Sequence, residues 1–422
     1  MNDSSLATKH MQAVTSIQDR LMGEHLDYKE IFAIMDEISH NRLDDTLTAY
    51  FMASALKDGF TSEELFFLTK AMVETGQKLH LEGIVANKHC VGGISGSRTS
   101  MILVPIIAAA GFQMPKTSSR AITTPAGTAD VMEVLAPVTF GIHQIEHIVQ
   151  KVGGCIVWGG HLGMAPADEA IIRVEEPLSL QSVDKVIVSI MAKKVASATT
   201  HLVLDLPVGK TLKLHSHQEA EQMAHKFLMI GKRFGIKITA DINVMKEPAG
   251  QGVGAFLEAR EVLHVLEQHA DRPRVLEEKA LHLAGCLLDL CYEESHEKKD
   301  GLAEAKKLLE SGVALQKFKD IIRAQGGDDQ VSYRNMKTKA HIKEILSEKK
   351  GTIRSLNNKN LSAVAKILGA PTDKFAGIFL LKRTGEPISK KEALLQFHSC
   401  DSYRIKEAMD TMEHFPIYEI EE

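Results

Sequence analysis

The feature that most constrains the fold is an alternation of short β-branched runs with helical stretches, which begins near residue 81. The predicted strands are 83–87, 154–158, 202–206 and 236–242, and the predicted helices between them are 102–110, 129–135 and 218–234. Such alternation is typical of an α/β domain with a mainly parallel sheet. Because ligands of these folds bind beyond the carboxyl ends of the strands, the glycine-rich joints at 91–93, 158–160 and 207–209 are where we expect chemistry.

Two other regions have a different pattern of apolar residues. Residues 1–80 carry only helical periodicity, and Asp27 and Thr61 stand where capping-box residues would begin two helices. Residues 165–198 interrupt the alternation and are helical again. We therefore predict an α/β fold with a discontinuous all-α lobe and a C-terminal α+β domain. The predicted parts are residues 1–80 plus 165–198, residues 81–164 plus 199–330, and residues 331–422.

The composition is that of a globular protein and argues against several classes. Of the 422 residues, 44% are apolar and 25% charged, which fits two or three domains. The net charge of −5, without a basic stripe, argues against a nucleic-acid partner. The sequence predicts neither a membrane span nor a signal peptide. The cysteines follow no metal-ligand or disulfide spacing, so we expect reduced thiols and a cytoplasmic location.

The loop after the first predicted strand has the composition of an anion site. Within residues 87–100, Lys88 and Arg98 supply positive charge, and glycines let backbone N–H groups point inward. A helix is predicted to begin directly after this loop, and a helix N-terminus favours a phosphate-sized anion. The pattern matches neither Walker A nor GxGxxG, which disfavours triphosphate and dinucleotide sites. A glycine–serine turn with scattered charges is the alternative.

A second loop, residues 116–130, has similar chemistry. Hydroxyl and cationic side chains fill most positions from Lys116 to Thr124, and Thr128 stands where it would cap the next helix. One such run alone is usually a plain turn. Two of them, each leading into a helix of an α/β domain, favour a shared cradle for an anion.

A third group lies in the helical stretch 165–198. Ser189 and Lys193 are four residues apart, so they share one face of a helix, and Arg173 precedes them. A hydroxyl beside a cation suits the carbonyl edge of a nucleobase. A solvated surface lysine is the alternative explanation of this spacing.

These stretches resemble the thymidine phosphorylase and AMP phosphorylase family, from about Leu21 to the C-terminus. Matching segments include KHCVGG, PKTSSRAITTPAGTADVMEVLA and SIMAKKVA, and the second of these is most similar to the AMP phosphorylase-like branch. The resemblance implies a helical lobe built from two chain segments, an α/β lobe, a C-terminal α+β portion and a homodimer. It also implies that inorganic phosphate, as a co-substrate, splits the N-glycosidic bond of a nucleoside or nucleotide, with no metal and no other cofactor.

The resemblance assigns roles to individual residues. The phosphate-binding positions are Lys88, Cys90, Gly93, Arg98, Ser100, Ser119 and Thr128. The nucleoside-binding positions are Arg120, Ala121, Ile122, Thr123, Thr124, Arg173, Gln181, Ser189, Lys193 and Lys213. The catalytic positions are His89, Arg173 and Lys193.

This sequence departs from the family pattern at three of these positions. Cys90 replaces a serine of the Lys-His-Ser run, and Arg98 replaces a lysine of the AMP branch. Gln181 stands where AMP phosphorylases are proposed to have an acid, and glutamine cannot protonate a leaving base. The sequence therefore favours a pyrimidine nucleoside phosphorylase of the thymidine type.

Three alternatives stay open at this point. In the first, the substrate of the same reaction is a nucleoside 5′-monophosphate such as AMP, and Arg120 and Lys213 are candidates to hold the 5′-phosphate. In the second, the chain is a phosphoribosyltransferase, which needs paired acids for magnesium, and Asp168 and Glu169 are the candidate pair. The third alternative is a protein that binds nucleotides without turnover.

Overall fold

The computed structural model describes residues 3–56, 59–178 and 182–422. In chain order the helices are α1 (Asp3–Leu21), α2 (Tyr28–Ser39), α3 (Asp45–Ala53), α4 (Ser62–Glu74), α5 (Thr99–Ala109), α6 (Thr128–Met132), α7 (Ile142–Val152), α8 (Pro166–Leu178), α9 (Val183–Ala196), α10 (His217–Arg233), α11 (Ala255–Leu266), α12 (Arg274–Ser295), α13 (Gly301–Glu310), α14 (Val313–Ala324), α15 (Asn358–Ile367) and α16 (Ser402–His414). The strands are β1 (Ala86–Cys90), β2 (Met114–Ser118), β3 (Gly154–Trp158), β4 (His201–Val208), β5 (Lys237–Val244), β6 (Gly252–Val253), β7 (His341–Leu346), β8 (Gly351–Leu356), β9 (Gly377–Leu380), β10 (Pro387–Ile388), β11 (Ala393–Ser399) and β12 (Tyr418–Glu421).

The helical lobe is built from two separate stretches of chain. Helix α8 packs on α2 and α3, and α9 packs on α4, around a shared apolar core. The side chain of Asp27 accepts a hydrogen bond from the backbone N of Glu30 at 2.9 Å, and Glu30 reciprocates at 2.7 Å. Thr61 makes the same capping box with Glu64. The predicted discontinuous helical lobe is confirmed, whereas its residue boundaries stay a prediction.

The α/β lobe has parallel strands in the order β1-β4-β5, with β2 paired to β3 beside them. A parallel bridge between Val85 and Gln113 links the two groups of strands. In the register of β1 on β4, Cys90 lies opposite Asp205. Helix α5 is apolar almost throughout and is buried between the strands β2 and β3 and the helices α12 and α14. The loops after β1 and β2 lie at the carboxyl ends of these parallel strands. This edge carries the loops that the sequence singled out.

Strand β2 is not predicted by the sequence pattern. Its residues are Met114–Ser118, of which Lys116, Thr117 and Ser118 are polar and Pro115 disfavours a strand. The apolar-periodic stretch that follows β6 forms two helices, α11 and α12, and Pro273 is the N-cap residue of the second one.

The C-terminal domain has its own apolar core, with helices α15 and α16 against two antiparallel sheets. One of these sheets has the order β6-β9-β11-β7, so it takes its edge strand β6 from the chain that precedes the domain. The predicted fold class is confirmed. In the described ranges, none of the helices has both the length and the apolar character needed to cross a membrane.

Candidate active site

Lys88 lies in β1 at the centre of the edge where the predicted anion loops meet. Its Nζ is 3.0 Å from Oδ2 of Asp205 on β4 and donates to Thr99 Oγ1 at 3.1 Å. Only 3% of the Lys88 side chain is exposed. Burial acts to lower the pKa of Lys88, but the adjacent Asp205 carboxylate outweighs it and the pKa is raised. Lys88 is therefore a permanently charged ammonium group held in one position.

Two more buried lysines lie beside Lys88 without a carboxylate partner among the described residues. Lys116 Nζ donates to the backbone oxygen of Lys88 at 3.1 Å, and Lys194 Nζ donates to Asn87 Oδ1 at 2.9 Å. Burial, reinforced by Lys88, lowers the pKa of Lys116 to about 7. Burial, followed by the charge of Lys116, lowers the pKa of Lys194 far below its usual range. We call Lys88, His89, Lys116 and Lys194 the cation cluster.

His89 is the fourth member of the cation cluster. Burial, followed by the charge of Lys194 and of the other nearby lysines, holds the pKa of His89 well below its usual range. At neutral pH its imidazole is therefore neutral and has one N–H donor. A bound anion would stabilise the protonated forms of Lys116 and Lys194, so the cluster fits an anion site.

Arg98 connects two loops, and its guanidinium group bonds to acceptors within the protein. Its Nε pairs with the buried carboxylate of Glu258, Nη2 donates to Ala126 O at 2.7 Å, and Nη1 donates to Thr128 Oγ1 at 3.2 Å. The prediction that Thr128 caps α6 is wrong. Gly127 is the N-cap, and Thr128 is the first helical residue, so its hydroxyl is left to accept from Arg98.

The loop between β2 and α6 is shaped by Asp130. One carboxylate oxygen, Oδ2, accepts from the backbone N of Ala121 at 2.6 Å and of Gly127 at 2.8 Å. A Cβ on Gly127 would lie 2.4 Å from Ser119 O, so only glycine permits this close approach. The loop is thereby closed into a compact turn that presents exposed Ser119.

Arg120 is already paired within this turn. Its guanidinium donates to both oxygens of Glu133 at 2.8 and 2.7 Å and to Asp130 Oδ1 at 3.2 Å. It also lies 4.9 Å from the ring centre of Trp158. The charge of Arg120 is thus compensated by two carboxylates.

Gly93, Thr123 and Lys213 converge on a cleft with a volume of about 810 Å³. Gly93 has φ +61°, and a Cβ there would lie 3.3 Å from Lys213 Cε and 3.6 Å from Thr123 Oγ1. The backbone N of Lys213 donates to Gly92 O at 3.4 Å. The cleft lies between loops of the α/β lobe, helices α9 and α10, and α15 of the C-terminal domain. One predicted phosphate-binding position, Gly93, and two predicted nucleoside-binding positions, Thr123 and Lys213, are therefore brought together.

The helical lobe presents Ser189 and Lys193 on one face of α9, as the spacing predicted. Lys193 Nζ is 2.6 Å from Oδ2 of Asp168, and Ser189 Oγ donates to the same oxygen at 2.8 Å. Asp168 is fully buried, whereas 38% of the Lys193 side chain is exposed. Arg173 lies apart from this group, since its side chain is 60% exposed and pairs with Asp45 at 3.3 Å. Gln181 lies outside the described residues.

The remaining predicted positions surround the anion loops. Cys90 ends β1, and burial raises the pKa of its thiol, which therefore stays protonated. Ser100 is buried in the first turn of α5. Ile122 is exposed, and Thr124 Oγ1 donates to Ala126 O at 3.0 Å. Among the described residues, no group of three or more His, Cys, Asp or Glu side chains is placed to hold a metal ion.

Two charged groups that organise the site, Lys194 and Asp205, were not singled out from the sequence. Asp168 was a candidate only for a magnesium site. Lys116 stands inside a loop that the sequence did single out, and Lys194 directly follows Lys193. Asp205 has no local signal, because its role depends on the register of β4 against β1.

Known proteins resemble this chain along most of its length. The family profile described as the a/b domain of a glycosyl transferase family matches residues 82–315, and that of its helical bundle domain matches residues 14–76. A "Putative thymidine phosphorylase" of Legionella pneumophila (strain Corby) is 38% identical over 408 residues, which are 96% of this chain and 77% of the relative. AMP phosphorylase 1 of Archaeoglobus fulgidus is 37% identical over 400 residues, which are 94% of this chain and 78% of the relative.

A solved structure shares the fold. The crystal structure of anthranilate phosphoribosyltransferase from Thermus thermophilus superimposes with a TM-score of 0.60 and 16% sequence identity. The superposition covers 74% of this chain and 99% of that one. At this identity the likeness concerns the fold alone.

Proposed function

Since this chain belongs to the thymidine phosphorylase and AMP phosphorylase family of glycosyl transferases, we propose that it is a pyrimidine nucleoside phosphorylase of the thymidine type. The reaction would be thymidine plus inorganic phosphate to thymine plus 2-deoxyribose 1-phosphate. The observation that carries the proposal is the cation cluster, in which buried Lys116 and Lys194 lie beside Lys88 without carboxylates of their own among the described residues. An inorganic dianion is the ligand that such a cluster favours.

Phosphate binding is the first step of the proposed mechanism. Lys88 offers a fixed positive charge, and the N-terminus of α5 adds partial positive charge beside it. Ser100, Ser119 and Thr128 supply hydroxyl donors at the same edge. Arg98 acts mainly by holding Thr128, because its guanidinium is occupied by Glu258 and Ala126.

Bond cleavage then follows at the anomeric carbon. An oxygen of the hydrogen phosphate dianion forms a bond to C1′ while the bond from C1′ to the base nitrogen breaks. The electron pair of that bond leaves with the base, which takes up the proton that the sugar phosphate loses. The sugar becomes cation-like in between, and the phosphate dianion stabilises it. No metal or organic cofactor takes part in this scheme.

The leaving base is stabilised by donors on both sides of the cleft. Neutral His89 has an N–H to donate to a base carbonyl as negative charge develops there, without passing on a full proton. Lys193 supplies a cation, and Ser189 a hydroxyl, from the helical lobe. Arg173 is exposed and paired with Asp45, so we expect it to reach the base only after the lobes close.

The test is a substrate screen with inorganic phosphate. Nucleosides and nucleoside monophosphates are incubated with the protein, and release of free base is followed by chromatography, with phosphate-free reactions as the control. Release from thymidine or uridine, dependent on phosphate, supports the proposal. If no substrate is cleaved while nucleotides still raise the melting temperature, the protein binds nucleotides without turnover and the proposal is wrong.

A nucleoside 5′-monophosphate is the second candidate substrate, and the lining of the cleft favours it. Lys213 and Lys359 border the cleft with exposed side chains, and Glu219 is its one carboxylate in the part of the chain that the structure describes. Arg120 does not serve this purpose in the present arrangement, because Glu133 and Asp130 hold it. Phosphate-dependent release of adenine from AMP would support this candidate.

A phosphoribosyltransferase activity receives less support from the geometry. Its magnesium site would need Asp168 and Glu169 to act as a pair. Asp168 is buried and already accepts from Ser189 and Lys193, whereas Glu169 is exposed. The two carboxylates therefore face different surroundings.

The family resemblance also carries the expectation of a homodimer, and the cysteine usage that of a cytoplasmic location. Sedimentation analysis of the purified protein tests the first. Cell fractionation tests the second.

A further inference from the structure

Helix α15 belongs to the C-terminal domain but lines the cleft. Asn358, Ser362 and Lys366 are spaced four residues apart, so they lie on one face, and all three border the cleft. The apolar face of the same helix, with Leu361 and Val364, is buried in the core of the C-terminal domain. The domain thus turns a polar helix face towards the other two lobes.

Two of these side chains bond separate loops of the α/β lobe. Asn358 Nδ2 donates to Thr211 Oγ1 at 3.2 Å, two residues before Lys213. Lys366 Nζ donates to the backbone oxygen of Ile122 at 2.8 Å, in the loop between β2 and α6. The second bond is charge-assisted, which makes it stronger than a neutral one.

Ser362 bonds the third loop. Its hydroxyl donates to Asn358 O at 2.8 Å and lies 2.8 Å from Ser95 Oγ. Because a hydroxyl has one proton, Ser95 is the donor to Ser362. Both serines are buried, and Ser95 lies between Gly93 and Arg98 in the first anion loop. One helix face therefore contacts all three loops that border the cleft on the α/β side.

We propose that α15 positions the substrate loops, with Asn358, Ser362 and Lys366 each fixing one of them. The C-terminal domain then contributes to substrate binding although it supplies no reacting group. Loops that are held in their binding conformation lose less freedom when a ligand arrives, so the ligand binds more tightly. The identity of the substrates in this proposal rests on the proposed function, whereas the loop contacts do not.

The kinetic test compares Ser362→Ala and Lys366→Met with Lys406→Met, which removes an exposed lysine on the neighbouring helix α16. Each of the first two variants removes one hydrogen bond to a loop, so we expect KM for phosphate or nucleoside to rise about three- to tenfold with little change in kcat. The control should keep both constants. A lower melting temperature with unchanged KM would mean that α15 serves stability alone, and the proposal would fail.

Hydrogen exchange supplies a readout that does not depend on activity. Ser362→Ala should speed amide exchange in residues 92–98, and Lys366→Met in residues 119–124, while β7 exchanges as in the wild type. Unchanged exchange in both loops would overturn the proposal. If the wild-type protein cleaves no nucleoside, the proposed function fails, but loop exchange and the rise in melting temperature with inorganic phosphate still decide the role of α15.

Discussion

The α/β lobe and the helical lobe hold their cations differently. On the α/β side, Lys88 and Lys116 are buried, and Arg98 is fixed by three acceptors in neighbouring segments. On the helical side, Lys193 and Arg173 are partly or largely exposed, and each is paired with a carboxylate. One side is buried and interlocked and includes Lys116, which has no carboxylate partner among the described residues, and the other is a set of ion pairs with exposed cations.

This difference predicts a division of labour. Cations and hydroxyl donors that are rigidly placed bind an anion without rearrangement, so phosphate should bind to the α/β side before the lobes close. Lys193 and Arg173 must share or exchange Asp168 and Asp45 before they can act on a base. We therefore expect phosphate binding to be independent of Lys193 and Arg173, and catalysis to require them.

The largest expected effect comes from Lys88. Lys88→Met should lower kcat/KM for phosphate about 10³-fold, because a fixed charge at the centre of the anion site is lost. Lys279→Met is the matched control, since Lys279 Nζ contacts the other oxygen of Asp205 at 3.1 Å. That variant should lose less than about tenfold in kcat/KM. Equal losses in the two variants would mean that Lys88 acts only as a partner of Asp205.

A matched pair of arginine substitutions compares the two sides directly. Arg98→Met leaves the buried Glu258 without its cation and should lower the free energy of unfolding by about 3 kcal/mol. Arg173→Met removes a pair between exposed side chains and should change it by less than about 1 kcal/mol. Urea unfolding followed by circular dichroism measures both. Similar values for the two variants would contradict the contrast between an interlocked and an exposed side.

Much of the fold could be predicted because its signals are local. Residues 154–158 are predicted and observed as a strand, and the capping boxes at Asp27 and Thr61 begin helices as expected. β2 was missed because a strand that ends in a polar site carries lysine, threonine and serine instead of an apolar run. The strand that is hardest to predict is thus one that carries Lys116 to the candidate site.

The candidate site was predictable only in part, for a physical reason. The loops were recognised from their composition, but the balance of charge depends on contacts between distant segments. Asp205 reaches Lys88 through strand register, Asp168 reaches Lys193 across two helices, and Glu258 reaches Arg98 from α11. Local spacing in the sequence therefore does not show which cations have a carboxylate partner.

A substitution of Lys193 tests whether the base-binding side chains of the helical lobe act separately from the anion site. Lys193→Met should lower kcat/KM for the nucleoside about 10²-fold, because charge on the leaving base loses a cationic partner. The rise in melting temperature with inorganic phosphate should match that of the wild type. Loss of the phosphate effect in this variant would mean that the two sides form one coupled site even without nucleoside.

The smallest expected effect concerns Lys116, and it is the one that depends most steeply on pH. Burial lowers its pKa to about 7, and it faces Lys88, Cys90 and Arg98. Below about pH 7 the free protein carries this charge, and above it the amine is neutral, so anion binding at higher pH must be accompanied by uptake of a proton. We expect the Kd of an anion to rise up to about tenfold per pH unit above about 7.

Sulfate is the suitable probe for this dependence, because its charge is constant where that of phosphate changes. Its Kd is measured by calorimetry across neutral pH in the wild type and in Lys116→Met. The variant should bind sulfate more weakly at low pH and should lose the steep rise of Kd above neutrality. A wild-type Kd that is flat across neutral pH would show that Lys116 keeps one protonation state, and this prediction would then be wrong.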